Sequence, residues 1–120
     1  MKALLLIAHG SRRESSNDEI RALTAQIRAA SRRFDLVEHA FLEMAEPDIA
    51  RGGDKLAAAG ATEIVVLPYF LAAGKHLLTD IPGEVARLEA RHPAVRFTLS
   101  PHLGAAANML RLIHEHLEGL

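Results

Sequence analysis

Six consecutive apolar residues, 3–8, lead directly into His9-Gly10-Ser11-Arg12-Arg13. A strand with one wet face would alternate apolar and polar residues, so an unbroken run marks a strand covered on both faces. Such strands belong to parallel sheets, whose neighbouring strands are joined by helical crossovers.

The remaining chain supplies those crossovers. Ile20, Leu23, Ile27 and Phe34 recur at near-helical spacing, with Arg21, Arg28 and Arg32 between them. Ser16 or Asn17 is placed to cap this helix, with Asp18 and Glu19 in its first turn. Residues 36–44 hold a second strand, ending around Phe41-Leu42-Glu43. Pro47 and Asp48 open a short helix, weakened by Gly52-Gly53 and closed by Gly60. Residues 63–67 form the clearest strand, stopped by Pro68. A glycine-containing loop follows over 69–75, with His76 beyond it, and Pro82 is expected to be the first residue of the next helix. Val85 and Leu88 give that helix its apolar face, and His92-Pro93 end it. A fourth strand spans 95–99, and a last helix turns Met109, Leu110, Ile113 and Leu117 inward. The expected architecture is α/β: a four-stranded parallel sheet with helices on both faces and right-handed crossovers.

A chain of 120 residues suits one domain, 1–120, and its 49% hydrophobic content is enough for a core. Aromatics make up only 4%, and 14 basic against 15 acidic residues leave a net charge of −1. Neither feature suits a nucleic-acid surface. With no cysteine, thiolate metal sites and thiol catalysis are excluded. The first apolar run is too short for a secretory signal, and no run is long enough to span a membrane. The expected location is the cytoplasm.

Ligands of open parallel sheets bind beyond the carboxyl ends of the strands. His9 follows the first strand, Glu43 ends the second, His76 follows the third and His102 the fourth. Each βα unit returns the chain to the same edge, so these distant residues are expected to converge. Two imidazoles and a carboxylate are a suitable ligand set for divalent cobalt, iron, nickel or zinc, and imidazole can also accept a proton. A single histidine on a loop is more often plain surface; it is the convergence that points to function. His39, within a strand, reads as a hydrogen-bonded sheet residue, and His92 as the end of a helix. His114 and His116 are two apart on a helix and face different ways. The loop over 10–17 either holds an anion against a helix N-terminus or simply caps it. It has neither the P-loop lysine nor the spaced glycines of a dinucleotide site.

The ordered motifs His9-Gly10-Ser11-Arg12, Phe41-Leu42-Glu43 with Pro47, and Leu67-Pro68-Tyr69-Phe70-Leu71 with Gly74, His76 and Asp80-Ile81-Pro82 resemble the CbiX/SirB family. Pro101 with Leu103-Gly104 is similar to that family's closing motif. The resemblance implies a short-form class II chelatase, corresponding to half of the longer members, that inserts a divalent metal into sirohydrochlorin without ATP. Cobalt is the first expectation and iron or nickel the others, the metal being a substrate; no organic cofactor is implied. His9 and His76 would be the catalytic and metal-binding histidines, with Glu43 as the carboxylate ligand. Ser11 and Arg12 would anchor carboxylates of the tetrapyrrole, Leu71 would form an apolar wall, and His102 would lie against the substrate. The short form further implies a homodimer whose two copies form one cleft.

Other readings fare less well. A histidine phosphatase needs arginine directly before its histidine, and Ala8 stands there. A flavodoxin-like flavin binder needs a hydroxyl-rich phosphate loop and flanking aromatics that the chain lacks. The nearest alternative is a protein of the same fold that binds metal or tetrapyrrole without turnover.

Overall fold

The computed structural model describes the backbone of residues 1–120 and every side chain except those of Lys75, His76 and Leu78. Strands β1 (Lys2–Ala8), β2 (Leu36–Phe41), β3 (Glu63–Pro68) and β4 (Arg96–Leu99) alternate with helices α1 (Glu14–Ala30), α2 (Ile49–Ala58) and α3 (Lys75–Arg91). A short 3-10 turn, Leu103–Ala105, then leads into α4 (Met109–Glu118). All strand pairs are parallel, in the order β2-β1-β3-β4. The expected α/β architecture is thus the observed one.

The side chains of β1 alternate between two layers. Ala3, Leu5 and Ile7 join Ala40, Ile64 and Val66 in a core closed by Ile49 and Leu56 of α2 and Ile81, Val85 and Leu88 of α3. Leu4, Leu6, Val37 and Phe41 are buried on the opposite face. There Arg28 of α1 donates to the Val37 carbonyl, and the Arg21 guanidinium lies over the Phe41 ring. Burial on both sides is what the unbroken apolar run of β1 requires.

Four local expectations are corrected. Helix α1 begins at Glu14, before Ser16 and Asn17, so neither residue caps it, and it ends before Phe34. Its two fully buried residues are polar, Asn17 and Thr24. Helix α3 begins at Lys75 and carries Pro82 in its interior, which places His76 in the first helical turn. The proline removes one backbone hydrogen bond. Burial outweighs that loss, because Leu77, Ile81, Val85 and Leu88 form one continuous stripe against the core. Gly53 is a requirement of packing: a Cβ there would stand 2.6 Å from the Leu88 methyls, so glycine lets α2 and α3 approach. Finally, no residue of α4 is buried; Leu110, Ile113 and Leu117 are all exposed, not turned inward.

Candidate functional site

The strand order changes direction between β1 and β3: the chain leaves β1 toward β2 on one side and continues from β3 to β4 on the other. Crevices at such a point, beyond the carboxyl ends of the strands, are the binding places of open α/β sheets. His9 is the first residue after β1, and Tyr69 and Phe70 follow β3. The His9 and Phe70 rings meet edge to face with centroids 6.3 Å apart.

Beyond the end of β2 the chain stays beside β1. Leu42 donates its N–H to the Ala8 carbonyl and Glu43 donates to the His9 carbonyl, at 3.0 and 3.1 Å. Glu43 therefore lies two residues beyond β2, not at its end. The close approach depends on Gly10, whose φ is +92° and whose missing Cβ would otherwise overlap the Glu43 carbonyl oxygen. The backbones are thus in register and the side chains meet: His9 Nε2 lies 2.9 Å from Glu43 Oε1. Because an ionised carboxylate only accepts, the ring nitrogen is the donor in this contact. Both side chains are more than half exposed, so the pair is reachable from solvent.

The pair opens into a cavity of about 550 Å³, also lined by Leu42, Asp48, Ile49, Asp80 and Glu84. Asp48 is engaged in capping α2, accepting from the Arg51 N–H at 2.8 Å. Glu84 pairs with Arg87. A lining of one imidazole and four carboxylates attracts cations and repels anions. Among the described residues, no three histidine or acidic side chains converge closely enough to hold one metal ion. The side chain of His76 lies outside the described residues; its backbone stands one helical turn before Asp80.

His102 lies elsewhere. It lines a second, mainly apolar cavity of about 430 Å³ with Pro68, Leu77, Ile81, Leu99 and Pro101. Ser11 is engaged locally, its hydroxyl accepting from the Arg13 N–H at 3.0 Å. Arg12 and Leu71 are exposed, and none of the described side chains forms a hydrogen bond or ion pair with Arg12.

The residue missed from sequence is Asn17. Its side chain is 1% exposed, accepts from the Ser11 N–H at 3.0 Å and donates to the Ser11 carbonyl at 2.8 Å. That double bond to one peptide fixes the loop that leaves His9. The available signal was its position, three residues before Ile20 on the inner face of α1, where an apolar residue would be ordinary. His39 also differs from expectation: its Nδ1 is buried with no hydrogen-bond partner, 3.6 Å from Glu38 Oε1. Burial pushes its pKa below the usual histidine value, opposed by Glu38 and assisted by Arg21, Lys55 and Arg28.

A sequence model of the CbiX family matches residues 3–120. The chain belongs to the CbiX family. It is 30% identical over 118 residues to a sirohydrochlorin cobaltochelatase of Sulfurisphaera tokodaii, covering 98% of this chain and 92% of that protein. It is 29% identical over 119 residues to a sirohydrochlorin ferrochelatase of Bacillus subtilis, covering 99% of this chain but 45% of the relative. The crystal structure of the sirohydrochlorin chelatase SirB from Bacillus subtilis subspecies spizizenii, in complex with cobalt, superposes with a TM-score of 0.86 at 29% identity. That match covers 99% of this chain and 50% of SirB. The chain therefore spans about half the length of these two Bacillus relatives.

Proposed function

We propose that residues 1–120 form one chelatase-like unit that inserts a divalent metal, cobalt foremost and iron or nickel alternatively, into sirohydrochlorin. The observation that carries this reading is the exposed His9–Glu43 pair, 2.9 Å apart, at the mouth of an acidic cavity. Metal–nitrogen and metal–oxygen bonds are about 2.0–2.1 Å long, so adjacent ligands at right angles lie roughly 2.9 Å apart. A metal ion replacing the shared hydrogen would thus need little movement of either side chain. His76 is the proposed third ligand and, with His9, a proton acceptor.

The division of surface suits the two substrates. The acidic cavity favours the cation and disfavours a polycarboxylate macrocycle. Outside it, Met44, Tyr69 and Leu71 are exposed large side chains on the loops after β2 and β3, fitting an apolar ring laid across the edge. Ser11 and Arg12 would meet its carboxylates, and His102 would take part only if the ring reaches the second cavity. Insertion releases two pyrrole protons, and imidazole and carboxylate bases beside the metal can receive them. No organic cofactor enters this scheme. Two copies, each offering one such edge, would enclose the macrocycle. No described helix is long and apolar enough to cross a membrane, and action in the cytoplasm is part of the proposal.

The test is anaerobic incubation of the purified chain with sirohydrochlorin and cobalt, iron or nickel, following the absorbance change on insertion. The expected result is insertion well above the protein-free rate, lost in His9→Ala and His76→Ala. Absence of acceleration with every metal would overturn the enzyme reading; retained metal or tetrapyrrole binding would then identify a carrier.

A further inference from the structure

Helix α4 has ten residues, none buried. Leu110, Ile113 and Leu117 lie along one side of it, exposed by 65%, 46% and 54%. A free helix shorter than roughly 12–15 residues is marginal in water, so this one needs a surface to lie on. Its start is tied to the functional edge: Gly104, in the preceding turn, donates its N–H to the Phe70 carbonyl at 2.9 Å. The molecule measures 47 Å along its longest axis against 31 and 27 Å. The excess is close to the ~15 Å length of a ten-residue helix.

The sheet holds a matching vacancy. In β3, Ile64 and Val66 are buried under α2 and α3, while Val65 and Leu67 alternate to the other face. Both are only half-buried, although β3 is an interior strand. Helix α1 occupies that face at its β2 end. Thr98 of β4 stands beside Val65, and Arg96, 79% exposed at the side chain, stands beside Glu63 at the start of the same strip.

We propose that α4 is an exchanged helix: in a symmetric pair of chains, each α4 covers the Val65–Leu67 strip of the other copy. A helix that leaves the carboxyl edge and runs back against the strands carries its last turn to their starts. Glu118 then reaches Arg96 of the other copy, so charge as well as apolar surface matches. Both copies are satisfied by one two-fold operation, which closes the assembly. Two helices and two strips bury on the order of 1,000 Å², the area at which a specific interface begins. The proposal deepens the two-copy reading above and rests on it. It also explains why an apolar helix begins at the functional edge: joining the copies through α4 brings their two edges together.

The test uses sedimentation velocity together with single cysteines, which are unique because the chain has none. The expected result is a dimer whose dissociation constant rises about a hundredfold or more in Leu110→Glu/Leu117→Glu, the far-UV spectrum being otherwise preserved. Differently tagged chains, one carrying Ile113→Cys and the other Val65→Cys, should cross-link to each other on oxidation. A wild-type monomer overturns the exchange, as does a double variant that stays dimeric. A chain carrying both cysteines that closes only within itself shows α4 folded back on its own sheet, and overturns it too. These readouts need neither metal nor tetrapyrrole. A cross-linked dimer without insertion activity sinks the chelatase reading alone, and an active monomer sinks the exchange alone.

Discussion

Gly10 and Glu43 are packed so closely that a side chain on residue 10 would overlap the Glu43 carbonyl oxygen. The contact holds two loops in register and sets the His9 imidazole against the Glu43 carboxylate. Gly10→Ala meets both the overlap and the strain of a φ of +92°. We expect it to cost about 1–3 kcal/mol of stability. Urea unfolding measures that cost. The variant should also lose metal insertion under conditions where it remains folded, because the loops can separate only by parting His9 from Glu43. Full activity in a folded Gly10→Ala protein would show that the pairing is unnecessary.

Glu43→Gln separates charge from shape. The amide can still bond to His9, but it is a poorer ligand and no longer a base. Metal affinity, followed by competition with a chromophoric chelator, should fall about 10- to 100-fold. Thermal stability should change little, since the pair is exposed and such ion pairs contribute about 0–1 kcal/mol. Unchanged affinity would remove Glu43 from the metal site.

Asn17→Leu tests the clamp on the loop after His9. Leucine suits a buried helical position but leaves the Ser11 N–H and carbonyl without their partner. An unsatisfied buried group costs about 1–3 kcal/mol, and the loop is expected to loosen to reach water. Amide hydrogen exchange should accelerate at Ser11 more than in the β1 core. Faster exchange confined to the middle of α1 would instead mark Asn17 as a residue of helix packing alone.

These residues show what the sequence could disclose. The layered architecture was readable because β1 is apolar without interruption and β3 alternates beside it, patterns that follow from the period of a strand. The location of His9 at a carboxyl edge followed from the same alternation of strand and helix. Asn17 was misread as a cap because asparagine commonly caps helices, and only the fold shows that Ser11 comes within its reach. The start of α3 was misplaced because Pro82 outweighed the stripe of Leu77, Ile81, Val85 and Leu88. Helix α4 was expected to face inward because amphipathic spacing reveals an apolar side without revealing what covers it. His102 had the right strand end but the wrong cavity: an edge gathers residues, and side-chain direction then divides them.

The last prediction concerns pH. His39 is held on β2 with its Nδ1 buried, and desolvation lowers its pKa below the ordinary value of 6.5. Glu38 opposes the shift, while Arg21 and Arg28 from α1 and Lys55 from α2 reinforce it. The folded state therefore binds fewer protons at this site than the unfolded chain when the pH lies between the two pKa values. Above the unfolded pKa both forms are neutral and the site is silent. As the pH falls through 6.5, the unfolded chain takes up the proton first, and folding stability declines until the folded site is protonated too. Urea unfolding at pH 7.5 and 5.5 should show a larger loss of stability in the wild type than in His39→Gln, a residue without a titrating group. The contrast between the two proteins cancels the contribution of the other histidines. Equal losses would mean that the surroundings of His39 leave its proton affinity the same in both states.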